Sequence, residues 1–205
     1  MYYVLVILCA YVLGSSSMSF YLSRLKGVDL RSKGSRNLGA SNSVILMGWK
    51  AGVIVGIHDI GKAVIAVLAA EILYPELPYI GVIAGVACVL GHIFPFYLKF
   101  KGGKGFASFV GMVLALNWRF ALVLIVLIII VTLVTDYIVS GTVTAVVLSP
   151  IYFGIAEHNV IFPCIILIAT AVILYKHREN FVRIIKGGEI GIRSTLRGKH
   201  KLSVE

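Results

Sequence analysis

Lys99–Ala107 reads KFKGGKGFA. Three lysines (Lys99, Lys101, Lys104) and three glycines (Gly102, Gly103, Gly105) fall within seven positions there, and long apolar stretches flank them on both sides. The chain is 59% hydrophobic and only 14% charged, with a mean hydropathy of +0.97. That mix lies far outside the usual soluble range. Bare backbone beside clustered positive charge, in such a chain, calls for a negatively charged group that comes to the edge of a membrane.

Working outward from that stretch, a membrane helix needs about 20 mainly apolar residues. Seven segments qualify, near 2–22, 50–73, 79–98, 106–117, 119–138, 141–156 and 159–176, the fourth and sixth being short. The first could pass for a signal peptide, but it lacks a positively charged leader and further spans follow, so it is read as the first transmembrane helix. The 205 residues make one membrane domain over 1–205, with a basic tail from about 177.

The net charge of +10 would suggest nucleic acid in a soluble protein, but here its distribution answers to topology instead. Arg24, Lys26, Arg31, Lys33, Arg36 and Lys50 fall between segments one and two, and Lys99, Lys101 and Lys104 between three and four. Lys176, Arg178, Arg183, Lys186, Arg193, Arg197, Lys199 and Lys201 follow segment seven. Of the 19 basic residues only Lys62 and Arg119 stand apart. The positive-inside rule then puts the N-terminus outside and the C-terminus in the cytoplasm, which an odd number of spans satisfies. The expectation is an all-α polytopic integral membrane protein of about seven helices.

Polar clusters gather at the cytoplasmic boundary. DLRSKGSRNLGASNS, Asp29–Ser43, mixes Gly34, Ser35, Asn37, Gly39 and Asn42 with Arg31, Lys33 and Arg36. Glycines let backbone N–H groups close on a ligand as an anion nest; an ordinary turn-rich loop is the plainer reading. In segment two, GIHDIGKA nearly spells a nucleotide P-loop, but Ala63 replaces the hydroxyl and the setting is an apolar helix. What remains is Asp59 and Lys62, three apart on one helical face, where they pair or face a cavity; His58 points elsewhere and is read as a packing or hydrogen-bonding residue.

Upstream of the opening stretch, Pro95 breaks segment three and the glycines release the backbone from helix geometry. Their amides, beside Lys104 and the start of segment four, are expected to form a phosphate site. His92, a turn earlier, is either a structural hydrogen-bond partner or a ligand contact. Past segment seven, KHRENFVRIIKGGE sets His177, Asn180 and Arg183 at three-residue spacing on one face, while Ile184 and Ile185 can rest on the bilayer. Asp136 and Ser140 add the other polar groups on this side. Cys9, Cys88 and Cys164 lie in apolar stretches without metal-ligand spacing and are read as packing residues.

The order GSRNLGASN, D-x-x-K, HIFPFYLKFKGGKGFA and HRENFVRIIKGGE resembles the bacterial acyl-phosphate glycerol-3-phosphate acyltransferases, the PlsY family, over almost the whole chain. The resemblance implies a seven-helix monomeric enzyme of the inner membrane that needs no cofactor or metal. It would move a fatty acyl group from acyl phosphate to the 1-hydroxyl of glycerol 3-phosphate, giving lysophosphatidic acid and phosphate, the first step of phospholipid synthesis. Its partners would be those two substrates and membrane lipid, with no nucleic acid.

The carried-over catalytic set is Ser35, Lys104, His177 and Asn180. Substrate-binding positions are Gly34, Arg36, Asn37, Gly39, Asn42, Gly102, Gly103, Gly105 and Ser140. Arg36 and Ser41 stand where the family has a glycine and a threonine, Ile45 where it has an arginine, and Ser15–Met18 where it has Gly-Ser-Ile-Pro; Arg36 is expected to supply the missing charge. The alternative class is a transporter of an anionic solute, which normally binds near the midplane between inverted repeats. A metal-dependent phosphotransferase would need a carboxylate set, and Asp29, Asp59, Asp136, Glu179 and Glu189 are too scattered for one.

Overall fold

A computed structural model describes residues 1–196, and over that range the chain is helical without strands. Arg197, Lys199 and Lys201 of the basic tail lie outside the described residues. In chain order the helices are α1 (Tyr2–Ser15), α2 (Met18–Leu25), α3 (Ala40–Met47), α4 (Trp49–Leu73), α5 (Ile80–Ile93), α6 (Phe106–Leu116), α7 (Trp118–Thr135), α8 (Ile138–Ala156), α9 (Ile161–Lys176), α10 (Arg178–Ile185) and α11 (Ile192–Leu196), with a 3-10 turn at Phe96–Leu98 after α5.

Five stretches are long and apolar enough to cross a membrane: Tyr2–Leu25, Trp49–Leu73, Ile80–Leu98, Trp118–Thr135 and Ile138–Ala156. A sixth is α9 with α10, bent by 43° at His177. Helix α6 has 11 residues, about 16 Å at ~1.5 Å per residue, against a hydrocarbon core of roughly 30 Å. Apolar side chains turned outward on α1, α4 and α7, such as Leu8, Ile57, Ile72, Val126 and Ile130, form the surface expected to meet lipid tails, where helices alone satisfy the backbone.

Helix α5 is the enclosed centre. One cluster joins its Val86, Val89 and Ile93 to Phe109 and Met112 of α6, Phe153 of α8 and Ile166 and Ile173 of α9. Its other face meets α1 closely because small residues line the seam: a Cβ on Gly91 would collide with the Tyr11 carbonyl and come within 2.9 Å of the Ser15 amide nitrogen. Tyr11 Oη then donates to the Phe94 carbonyl at 2.6 Å, closing the end of α5. Cys88 is buried in this seam, while Cys9 and Cys164 face outward as free thiols.

The first span is broken at Ser16–Ser17. Ser17 caps α2 by accepting the Phe20 N–H at 3.4 Å, and the freed Ser16 carbonyl accepts from Lys62 Nζ at 2.8 Å. Lys62 also pairs with Asp59 Oδ1 at 3.0 Å, as the three-residue spacing predicts. His58 is a hydrogen-bonding residue, as expected, but it turns toward the pair and not away from it. Its ring bends back to bring Nδ1 within 3.3 Å of Asp59 Oδ1 and Nε2 within 3.1 Å of Ser16 Oγ, so it belongs to the same buried polar knot.

Candidate active site

Beyond α5, Pro95 holds an extended backbone (ψ 124°) and the chain turns through the 3-10 segment. Lys99 and Phe100 take left-handed φ values of 55° and 57°, an uncommon pair for non-glycine residues. The chain then doubles back on the end of α5. Gly102 N–H donates to the Ile93 carbonyl and Gly103 N–H to the His92 carbonyl, both at 3.1 Å. The expectation that these two glycines offer free amides is therefore corrected, because the orphan carbonyls at the end of α5 take them. Open donors remain at the start of α6, where Gly105 (φ 91°) stands at the cap position without a capping side chain. The first-turn N–H groups there have no partner inside the helix, and the positive end of its dipole faces the same way.

Lys104 reaches from this loop to the break between α9 and α10, where its Nζ donates to Asn180 Oδ1. Asn180 Nδ2 donates to Glu189 Oε1 at 2.6 Å, and Arg183 Nε donates to Glu189 Oε2 at 2.7 Å. His177 and Asn180 are buried. Burial, and then the nearby Arg183 guanidinium, push the Lys104 ammonium down to about 8. The His177 ring is enclosed at the bend between the two helices. Its Nδ1–H donates to the Ile173 carbonyl at 2.8 Å, which leaves Nε2 with a lone pair. Lys104 and Arg183 thus stand beside Glu189 at a half-buried junction, with Glu179 and Lys176 also close enough to act on Lys104, a cation-rich setting that attracts an anion.

The loop at residues 26–39 closes on this region through Leu38. Leu30, Leu38 and Leu98 form a small buried cluster joining it to the 3-10 turn, and a Cβ on Gly103 would come to 2.5 Å from the Leu38 carbonyl. Asn42, expected to touch substrate, is instead the brace of its own loop. It is fully buried; its Nδ2 donates to the carbonyls of Leu30 (2.9 Å), Lys33 (3.2 Å) and Asn37 (3.1 Å), and its Oδ1 accepts the Ser35 N–H at 2.9 Å. Gly34 turns at φ 61°, with the Asn42 amide filling the space a Cβ would take.

Ser35 and Asn37 are half-buried on that loop, and the Ser35 hydroxyl is not engaged among the described residues. Gly39 caps α3 without a side-chain bond. Arg36 is exposed at φ 55°, with no ion pair among the described residues. Ser140 lies half-buried in the first turn of α8 and is not hydrogen-bonded to Lys104, His177 or Asn180. Asp136, just before α8, accepts the Ile192 N–H on its carbonyl at 2.9 Å and the Arg193 N–H on Oδ1 at 2.8 Å. The α7–α8 turn, the segment after α10 and the glycine loop therefore share one end of the bundle. Glu189 is the residue that sequence reasoning left without a place. Its signal was a carboxylate in a basic stretch, directly after Gly187 and Gly188.

A helical membrane bundle with a cationic, glycine-rich junction of loops at one end is the class that fold and site define. The chain belongs to the glycerol-3-phosphate acyltransferase family, whose description it matches over residues 4–187. Glycerol-3-phosphate acyltransferase of Prochlorococcus marinus is 38% identical over 94% of this chain and 98% of its own. Glycerol-3-phosphate acyltransferase 1 of Oceanobacillus iheyensis is 37% identical over 95% and 97%. Among solved structures, the glycerol 3-phosphate form of PlsY (YgiH), an integral membrane glycerol 3-phosphate acyltransferase, is 32% identical with a TM-score of 0.90, covering 98% of this chain and all of that one. Its lysophosphatidic acid form aligns with a TM-score of 0.85 at the same identity, over 96% of this chain and all of that one.

Proposed function

We propose that this chain transfers a fatty acyl group from acyl phosphate to the 1-hydroxyl of sn-glycerol 3-phosphate, releasing lysophosphatidic acid and inorganic phosphate. The observation that carries the reading is the Lys104–Asn180 bond, which draws the glycine loop onto the α9–α10 break; Asn180 links Lys104 to Glu189, and Arg183 bonds that same carboxylate directly. Both substrates carry phosphate, and the relatives' names, with the glycerol 3-phosphate and lysophosphatidic acid forms of PlsY, point to the same acceptor and product.

Acyl phosphate is a mixed anhydride, so the reaction needs no protein nucleophile. The acceptor hydroxyl oxygen attacks the acyl carbon, the bond from that carbon to the bridging oxygen breaks, and phosphate leaves. Ser35, Asn37, Gly34, Arg36 and Gly39 hold one phosphate, with Asn42 shaping their loop. Lys104 and the first turn of α6 behind Gly105 bear charge shared between the two phosphates, in a loop whose course Gly102 and Gly103 set. His177, Asn180 and Ser140 orient glycerol 3-phosphate. Orientation and charge stabilisation of this kind contribute several kcal/mol each in a dry site. The attacking hydroxyl's proton goes to a substrate phosphate oxygen, since His177 spends its Nδ1–H on the Ile173 carbonyl and, among the described residues, no carboxylate holds the ring as an activated base.

The chain acts as one monomeric domain in the bacterial inner membrane, without metal or cofactor, with its N-terminus outside and the cleft facing the cytoplasm. Because the loop before α6 and the turn after α7 lie at one end, α6 and α7 together leave that face and return to it. The short α6, enclosed by neighbours, thus counts as a seventh crossing. The purified full chain with acyl phosphate and glycerol 3-phosphate should release phosphate and form lysophosphatidic acid; equal turnover with acyl-CoA, or none with acyl phosphate, overturns the reading.

A further inference from the structure

His92 lies in the last turn of α5 with only 7% of its surface exposed. Its Nδ1 is 2.9 Å from Lys62 Nζ. An ammonium carries three N–H donors and no lone pair. Those of Lys62 meet three acceptors: Asp59 Oδ1 at 3.0 Å, the Ser16 carbonyl at 2.8 Å and His92 Nδ1. A ring nitrogen facing a donor at that distance must accept. Asp59 Oδ1 is farther from Nδ1, at 3.4 Å, and is already paired with the lysine. The His92 proton therefore sits on Nε2.

That nitrogen abuts the glycine loop. A Cβ on Gly103 would land on His92 Nε2 and come to 2.5 Å from the Leu38 carbonyl, so the ring tip occupies the junction of the two loops. Among the described residues Nε2–H meets no acceptor, yet it is not one of the fully sealed orphan atoms, which are Ser108 Oγ, Thr132 Oγ1 and Arg183 Nη2. A nearly buried donor with one open side, next to a glycine that cannot cover it, is placed for an incoming acceptor.

We infer that His92 donates its Nε2–H to a phosphate oxygen of one of the two substrates at the Leu38–Gly103 junction. Lys62 and Asp59 are positioning residues that fix which ring nitrogen carries the proton. The inference rests on the acyl-transfer reading, and it explains why an acid–base pair inside a membrane helix is joined to a histidine at the mouth of the site. No pair of loops alone would require that ion pair.

The test uses the full chain labelled with ¹⁵N-histidine in detergent. Glycerol 3-phosphate and an acyl phosphonate that cannot be cleaved are added separately. The free protein should show His92 as the Nε2–H form, and one of the two ligands should move that resonance, which names the phosphate involved. In kinetics, His92→Gln should raise the KM for that same substrate about tenfold, the loss expected for one hydrogen bond to a charged group, and leave the other KM unchanged. The paired variant Asp59→Asn/Lys62→Met should release the ring to the Nδ1–H form and raise the same KM; a merely structural knot would lower thermal stability without changing the tautomer. A free His92 protonated on Nδ1, or a resonance unmoved by both ligands, overturns the inference even if every variant unfolds. A wild-type protein without turnover, but with the resonance shifted by glycerol 3-phosphate, would overturn the reaction and keep the site.

Discussion

Lys104 and Asn180 are 76 residues apart and share a direct hydrogen bond, Nζ to Oδ1. That bond joins the loop between α5 and α6 to the break after α9, so the cleft's positive charge depends on a contact that local sequence does not encode. Lys104→Ala should lower kcat/KM by about 10²–10³-fold, the usual loss for one charge-stabilising donor. Thermal unfolding in detergent should stay near wild type, because the residue is only half-buried. A variant that keeps its activity removes Lys104 from the site.

The ammonium of Lys104, pushed down to about 8 by burial and by Arg183, must be protonated to hold phosphate. Below that value it is charged, and as pH rises through it the charge is lost. kcat/KM for glycerol 3-phosphate should therefore fall on the alkaline side from about pH 8, and Lys104→Arg should move that limb upward because guanidinium stays protonated. The substrate's own second ionisation lies near pH ~6 and cannot supply an alkaline limb. A wild-type profile flat to pH 10 contradicts the assignment.

His177 gives the opposite expectation. Its Nδ1–H is spent on the Ile173 carbonyl, and among the described residues no carboxylate holds the ring as an activated base. His177→Gln should keep activity within about tenfold of wild type and leave the acid limb of the profile in place, since a working general base contributes about 10²–10⁴-fold. A larger loss, together with a vanished limb, would move the proton from the substrate phosphate to His177.

Much of this was legible in the sequence, and the failures share a cause. Apolar runs placed the helical cores to within a few residues, and charge asymmetry gathered the polar clusters at one end. Breaks were missed where the partner is distant. Hydropathy reads 2–22 as continuous, but the break at Ser16–Ser17 is stabilised by Lys62, 46 residues on. Helix α3 hid inside a glycine- and serine-rich stretch because Asn42 ties down the loop before it from within the helix. The Gly102 and Gly103 amides read as free because nothing local shows that the carbonyls of Ile93 and His92 fold back to take them. Residue types announced an anion site, and long-range hydrogen bonds chose which donors remained for it.

Asn42 offers a test of that distinction. Three carbonyls surround its Nδ2 and one N–H meets its Oδ1. Asn42→Ala should destabilise the loop by about 2 kcal/mol or more through unpaired buried groups. Asn42→Asp should do worse, because a carboxylate oxygen would face three carbonyl oxygens where an amide now donates. A substrate contact predicts little change of stability in either variant. Unfolding midpoints of the two variants in detergent, measured without substrate, decide it.

Topology completes the argument, because a cleft fed by phosphorylated metabolites must open to the side where they are made. Glu157, exposed in the turn between α8 and α9, and Lys186, exposed just after α10, flank the bent α9–α10 pair at opposite ends. In a background with Cys9, Cys88 and Cys164 replaced by alanine, Glu157→Cys should react with a membrane-impermeant thiol reagent in spheroplasts. Lys186→Cys should react only after the membrane is opened. The basic residues at the cleft end favour this orientation, and it is tied to Lys104 because Asn180 stands only six residues before Lys186. Labelling of Lys186→Cys in sealed cells would put the cation cluster on the outer face, where it could not draw on cytoplasmic glycerol 3-phosphate, and the proposed reaction would have no route to its acceptor.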